Sequence, residues 1–306
     1  MALSSSSNAK TKVEHYPITN FVSGAGAGVI STILCAPLDV AKVRVQVQGS
    51  LNSNKYNGMF STLNKIYIEE GIRGLYRGMV PALCTVPMFW GIYWTSYENM
   101  KIFMYKQFPS SPSYIHHTGA AITAGAIGDV LTNPFWVVRT RIQTLVLHPE
   151  SALPSNISMI GMFKSIYHNE GFSAFYRGLT ASFLGLSHVA IQFPLYEYLK
   201  MMFRGKDKNE MDESVIELMG ASILAKSTAS IVTYPHEVVR SRLQDNRYAN
   251  EGIIKVIRDI VSKEGIKTLW SGLGFTLIRV IPASVSTFLS YEYINRALRC
   301  EMNSSE

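Results

Sequence analysis

The sequence predicts an all-α membrane protein, with six spanning helices in three pseudo-symmetric repeats and one short amphipathic helix per repeat. Three recurring elements carry this expectation. A proline motif is written three times, as Pro37-Leu38-Asp39-Val40-Ala41-Lys42-Val43-Arg44-Val45-Gln46, Pro134-Phe135-Trp136-Val137-Val138-Arg139-Thr140-Arg141-Ile142-Gln143 and Pro235-His236-Glu237-Val238-Val239-Arg240-Ser241-Arg242-Leu243-Gln244, the copies about a hundred residues apart. Each is followed by an acid-glycine pair and an aromatic element ending in glycine: Glu70-Gly71 with Leu75-Tyr76-Arg77-Gly78, Glu170-Gly171 with Phe175-Tyr176-Arg177-Gly178, and Glu264-Gly265 with Leu269-Trp270-Ser271-Gly272. Each unit closes on Tyr97-Glu98-Asn99-Met100-Lys101, Tyr196-Glu197-Tyr198-Leu199-Lys200 or Tyr291-Glu292-Tyr293-Ile294-Asn295. The order sets repeats at 17–107, 114–203 and 214–299, between a polar tail at 1–16 and a short tail at 300–306.

Composition agrees with helices that face lipid on one side and water on the other. Of 306 residues 47% are hydrophobic, yet the mean hydropathy is only +0.10. Runs such as 21–37 and 80–94 are rich in Gly, Ala, Ser and Thr, the small residues that let helices approach in lipid. The net charge of +7 suits nucleic acid, anionic lipid or an anionic solute, and no nucleic-acid motif accompanies it. Cys35, Cys84 and Cys300 form no paired framework, and the first two are expected as packing residues. The N-terminal segment lacks an apolar core and any Arg, so targeting is expected to be internal.

Each unit reads as helix, proline kink, basic stretch, amphipathic helix, glycine turn, helix. In the first amphipathic helix Phe60, Leu63, Ile66 and Tyr67 recur at helical spacing. Polar linkers at 106–113 and 205–213 separate the units, and an even number of spans places both termini on one side.

The repeated charges suggest two gates. Three kinked helices around a pseudo-three-fold axis bring Asp39, Glu237, Lys42, Arg139 and Arg240 to one level, where unpaired charge in a membrane is costly. Glu98, Lys101, Glu197, Lys200 and Glu292, with Asn295, form a second ring at the far ends of the even helices. Exposed pairs are individually weak, which suits a gate that must open. Charges that only anchor helix ends are the competing reading of one motif, but not of six in register.

These motifs resemble the mitochondrial carrier family along essentially the whole chain. The resemblance implies six transmembrane helices, three amphipathic helices on the matrix side, a monomeric carrier in the inner mitochondrial membrane, and alternating access to a central site. It implies that Asp39 pairs with Arg139 and Glu237 with Lys42 in a matrix gate, the second ring being the cytoplasmic gate. Two departures weaken the rings: Trp136 replaces an acid, leaving Arg240 only a cation–π partner, and Asn295 replaces a base. A tryptophan at that place is similar to the branch that carries NAD, FAD, folate and pyrimidine nucleotides. The stretches 185–197, 225–237 and 279–284 look most like the NAD carriers of yeasts and plants.

The solute is expected between the gates. Lys226 lies eleven residues before Glu237 and Asp129 seven before Trp136, whole numbers of turns, so both face the cavity of the gate residues; the alternative is mutual neutralisation. The family's contact points fall, by resemblance, at Thr85, Gly185 and Arg279, with Leu186 and His188 beside the second. Phe89, Trp90, Tyr93 and Trp94 form an aromatic cluster that serves either packing or base stacking. Lys226 and Arg279 suit a pyrophosphate, and His188 and the aromatics suit a base. No catalytic constellation, metal set or cofactor loop is recognised: the seven histidines lack ligand spacing, and Gly24, Gly26 and Gly28 read as a helix-packing run. NAD is expected as cargo rather than cofactor, and membrane lipid, cardiolipin included, as a partner. A carrier of FAD, folate or pyrimidine nucleotides, and a non-transporting scaffold, are the competing functions.

Overall fold

The computed structural model describes residues 17–49, 56, 58–109, 112–148, 150, 153–154, 156–204, 215–248 and 251–304. The tail expected at 1–16 and the linker expected at 205–213 lie outside these residues.

The first repeat contributes α1 (Pro17–Gln48), α2 (Met59–Leu75) and α3 (Met79–Gln107). The second contributes α4 (Ser113–Thr144), α5 (Met159–Glu170), α6 (Leu179–Gly185) and α7 (Ser187–Arg204). The third contributes α8 (Val215–Thr233), α9 (Pro235–Gln244), α10 (Ile253–Asp259) and α11 (Leu273–Ser304). Long helices neighbour each other in a closed round: α3 packs on α4, α7 on α8, and α11 returns to α1. Four segments are long and apolar enough to cross a membrane among the described residues: Val22–Gln48, Ile115–Leu147, Phe172–Phe203 and Ile266–Leu298. The other two long elements are α3, which carries Glu98, Lys101 and Lys106, and α8 with α9, which is divided at Pro235.

The three prolines act differently. Pro37 and Pro134 sit inside continuous helices, whereas Pro235 opens α9 after Tyr234. The fourth span, expected continuous, breaks at Leu186 with no proline nearby, where Ser187 Oγ donates to the Leu184 carbonyl at 2.6 Å.

Below the prolines each repeat has a small core of its own. In the second it is built from Val137, Val138, Met162, Ile166 and Phe175. In the third Val238, Val239, Val256, Ile260 and Leu269 occupy the same places. In the first Ile66 is fully buried and Leu63 packs beside it, as the periodicity predicts. Phe60 and Tyr67, expected on the same face, are instead 79% and 53% exposed. Ile160 and Tyr167, and Ile254 and Val261, are exposed at the matching places. An apolar residue repeated three times on the outer face of an amphipathic helix fits one lying at a membrane surface.

The buried polar scaffold is three-fold. Arg44, Arg141 and Arg242 each pair through both terminal nitrogens with the acid of their own repeat: Glu70, Glu170 and Glu264. Each Arg Nε donates to a carbonyl of the next repeat, Arg44 to Gln143 at 3.0 Å, Arg141 to Gln244 at 3.2 Å, and Arg242 to Gln46 at 3.0 Å. Gly78, Gly178 and Gly272 interlock neighbouring repeats. Each has φ between 74° and 88°, and a Cβ would lie 2.8–3.3 Å from the Cγ of Gln143, Gln244 or Gln46 respectively. Glycine meets both demands there, positive φ and close approach.

Two packing expectations are corrected. Cys35 is buried, but Cys84 is exposed, because the inward face of α3 is taken by Ala82 and Thr85. Of the glycine run in α1, only Gly26 marks a close helix approach, its absent Cβ lying 2.8 Å from Ile294 Cδ1; Gly24 and Gly28 have open space.

Candidate functional site

A cavity of about 560 Å³ opens inside the ring of helices, its floor formed by the proline motifs. The floor is bridged between repeats. Lys42 Nζ donates to Glu237 Oε2 at 2.5 Å, and Arg139 Nη2 to Asp39 Oδ2 at 2.8 Å. These are the two pairs that the family resemblance implies.

The third junction differs. Trp136 stands where an acid is expected, and its ring lies between two guanidiniums, 5.2 Å from Arg139 Cζ and 5.3 Å from Arg240 Cζ. Arg240 has a carboxylate as well, which the motif alone does not reveal. Asp129, about two turns before Trp136 on α4, puts Oδ1 3.6 Å from Arg240 Nη2. That distance is an ion pair, not a hydrogen bond. Asp129 thus faces the cavity floor and is engaged with Arg240 rather than with Lys226.

Arg279 also reaches the floor. Its Nε is 3.0 Å from Asp39 Oδ1, at an angle that makes no hydrogen bond. A continuous chain results: Arg279, Asp39, Arg139, Trp136, Arg240, Asp129. Arg279 nevertheless remains 43% exposed, so water reaches it from the open side of the cavity.

Along that side α3 presents two aromatic ladders. Phe89, Tyr93 and Tyr97 stack at 6.1 Å and 6.1 Å, and Trp90 stacks on Trp94 at 6.5 Å. Trp90 lines the cavity and is half exposed, as is Trp94 one turn on. Phe89 turns to α4 instead, closing on Gly128, whose absent Cβ would lie 2.9 Å from its ring. Thr85 does not reach the cavity. It is fully buried and its hydroxyl donates to the Pro81 carbonyl at 2.6 Å.

The break in the fourth span places its residues against two neighbours. Leu186 closes on Gly125 of α4, and Gly185 receives the His236 ring, 2.5 Å from where a Cβ would be. His188 Nδ1 lies 3.2 Å from Thr233 Oγ1. His236 lines the cavity and was missed by sequence reasoning. The available signal was its polarity at a motif position where the other repeats have Leu38 and Phe135. Lys226 is exposed, about three turns above Glu237 on the face of α8 that carries Ser222 and Thr233, away from Leu224 and Ile231.

At the far end, Lys101 Nζ is 2.8 Å from Glu98 of its own helix, and Arg296 Nε is 2.7 Å from Glu292 of its own. Asn295 is buried. Glu98 and Glu292 are therefore held one turn away, while the floor charges bridge repeats. Glu197 is exposed, and Lys200 extends the same helix toward this end. The geometry is that of a cavity sealed at the proline motifs and reached from the opposite side.

A family model described as mitochondrial carrier protein matches residues 13–108, 110–207 and 212–301, one match per repeat. Among curated proteins the chain is 40% identical to mitochondrial nicotinamide adenine dinucleotide transporter 1 of Saccharomyces cerevisiae, over 90% of this chain and 76% of that protein. It is 37% identical to nicotinamide adenine dinucleotide transporter 1, chloroplastic, of Arabidopsis thaliana, over 92% of each. It is 28% identical to the mitochondrial pyrimidine nucleotide transporter RIM2 of Saccharomyces cerevisiae, over 94% of this chain and 89% of that protein. Three matched repeats, closed into one ring around a charged cavity floor, show that the chain belongs to the mitochondrial carrier family.

Proposed function

We propose that this protein carries NAD across the mitochondrial inner membrane by alternating access, cargo binding from the open side and loosening the sealed floor. The observation that carries this reading is a solvent-reached cavity floor held by inter-repeat ion pairs, in a chain with 37–40% identity to NAD transporters. Cargo can shift the equilibrium between states only through its differential binding to them. Arg279 and Lys226 supply positive charge to a pyrophosphate, and Trp90, Tyr93 and His188 supply flat surfaces to the bases. Gly185 and Leu186 shape the wall opposite, and Asp129 tethers Arg240 until cargo arrives. The reaction is movement, so NAD enters as substrate and leaves unchanged.

The test is uptake of labelled NAD by proteoliposomes of the purified protein, with UTP, FAD and folate as competing cargoes. Saturable NAD uptake, reduced at least tenfold by Lys226→Gln in protein that still unfolds cooperatively, supports the reading. Brisk UTP exchange without NAD uptake replaces it with a pyrimidine nucleotide carrier, the reading favoured by the similarity to RIM2.

A further inference from the structure

The cavity floor holds more hydrogen-bond donors than acceptors. Four buried nitrogens of Trp136 and the arginines around it lack an acceptor among the described residues: Trp136 Nε1, Arg139 Nε, Arg240 Nη2 and Arg279 Nε. Arg139, Trp136 and Arg240 are consecutive in the chain described above, and Arg279 joins them through Asp39. Arg139 and Arg240 both lie over the Trp136 ring, 5.2 Å and 5.3 Å from its centre. Arg279 and Arg139 share Asp39. The charges are unequal as well, with Lys42, Arg139, Arg240 and Arg279 set against Asp39, Glu237 and Asp129. A buried donor without an acceptor is costly, and an uncompensated charge more so. The deficit is one carboxylate's worth of charge and acceptors, at the place where Trp136 replaces an acid.

We infer that Trp136 and its flanking arginines form a socket for a phosphate oxygen of the cargo, which stands in for the missing gate carboxylate. This rests on the reading that the cargo is a nucleotide. Phosphate suits the site because it offers several acceptors in one tetrahedral group, and guanidinium N–H groups bind such oxygens in paired geometry. Asp129 holds Arg240 at 3.6 Å without a hydrogen bond, so an arriving phosphate meets a cation that is attracted but not committed. The cargo then binds the gate itself. Arg240 and Arg139 exchange neighbours for phosphate, and the energy of that exchange is available to separate repeats 2 and 3. The indole serves as a spacer that holds two guanidiniums apart and adds one donor of its own.

The test is thermal unfolding of the purified protein in detergent, titrated with inorganic pyrophosphate, for the natural chain, Trp136→Asp and Trp136→Phe. The natural chain is expected to gain stability with pyrophosphate. Trp136→Asp supplies the carboxylate internally, so it unfolds at higher temperature without ligand and needs at least tenfold more pyrophosphate for the same gain. Trp136→Phe keeps the ring face and loses the N–H donor, so it needs a few-fold more. Equal pyrophosphate response in all three proteins overturns the socket, since binding would then lie elsewhere, for example at Lys226. A natural chain that does not respond at all also overturns it. Should Trp136→Asp not fold, the Trp136→Phe titration decides alone. NAD uptake, run in parallel, separates the two proposals. Pyrophosphate stabilisation lost in Trp136→Asp, with no NAD uptake, keeps the socket and removes NAD as cargo. NAD uptake with a silent pyrophosphate titration does the reverse.

Discussion

Two rings lie close together at the proline motifs, and they treat the three-fold symmetry in opposite ways. The lower ring, Arg44, Arg141 and Arg242 with Glu70, Glu170 and Glu264, makes the same two-nitrogen pair in every repeat, with Arg77 and Arg177 as second bases in the first two. The upper ring, which forms the cavity floor, has two short pairs and one junction made of Trp136, Arg240 and Asp129. A buried, bidentate pair holds one geometry and resists exchange. Arg240 and Asp129, 3.6 Å apart with no hydrogen bond, fix no single geometry and can exchange. The chain keeps symmetry where repeats must stay joined and departs from it where cargo meets charge.

The largest expected effect comes from breaking the lower ring. Arg242 is fully buried, and its removal strands Glu264, which has no second base where repeats 1 and 2 have Arg77 and Arg177, and frees the Gln46 carbonyl of the next repeat. Arg242→Ala should cost about 3–5 kcal/mol, the range for an uncompensated buried charge. Thermal unfolding in detergent measures it. A loss no greater than that from removing an upper-ring partner would mean that the two rings do not differ in kind.

Much of this division was legible in the sequence, and the limits have physical causes. The repeated motifs placed Asp39, Lys42, Arg139, Glu237 and Arg240 at one level, and the family resemblance implied the pairs Asp39–Arg139 and Lys42–Glu237. The lower ring was written in the same motifs, yet a base seven residues after each proline is silent about which acid it meets until the amphipathic helix folds back. Thr85 and Phe89 show a second limit. Their offset from Gly78 fixes height along α3 but not rotation about it, and rotation sends both into packing. Asp129 shows a third: one residue was read as facing the cavity, but its partner depended on how far α9 leans toward α4. His148 lies outside the repeated motifs, so no internal alignment draws attention to it, whereas His236 stands out only against Leu38 and Phe135 at the same motif position.

His148 bears on the same junction from below. Its Nε2 lies 2.9 Å from both Asp245 oxygens and its Nδ1 3.0 Å from Glu150, while Thr144 also donates to Asp245 at 2.7 Å. Arg247 lies near Glu150 and Arg141 near Asp245. Burial alone would lower the imidazole pKa, but the hydrogen bonds and charges of Asp245 and Glu150 outweigh it and raise the pKa above its ordinary value. A group whose folded pKa is raised lends stability that is full below the unfolded value and is lost as pH rises through the folded one. The clamp between repeats 2 and 3 should therefore hold in acid and weaken toward alkaline pH. His148→Asn should cost about 1–3 kcal/mol at pH 6, as for hydrogen bonds to charged groups. It should also flatten the fall in unfolding temperature on the alkaline side. An unchanged pH profile would remove the clamp from the comparison and leave junction 2/3 distinguished by its upper ring alone.

The smallest effect is expected at Asp129, and it tests the upper ring most directly. Asp129→Asn keeps the size of the side chain and removes its charge. Arg240 stays stacked on Trp136, so its position is retained, and the pair that is lost spans 3.6 Å without a hydrogen bond. The loss should be smaller than that from removing a hydrogen-bonded floor partner, because no hydrogen bond is broken. Lys42→Gln is the companion measurement, because Lys42 hydrogen-bonds Glu237 at 2.5 Å and its removal leaves that carboxylate without its base. If both substitutions lower the unfolding temperature equally, the three junctions are equivalent and the looseness assigned to Arg240 is wrong. If Lys42→Gln costs clearly more, the floor has one junction that separates first, at the place where Trp136 stands between two arginines.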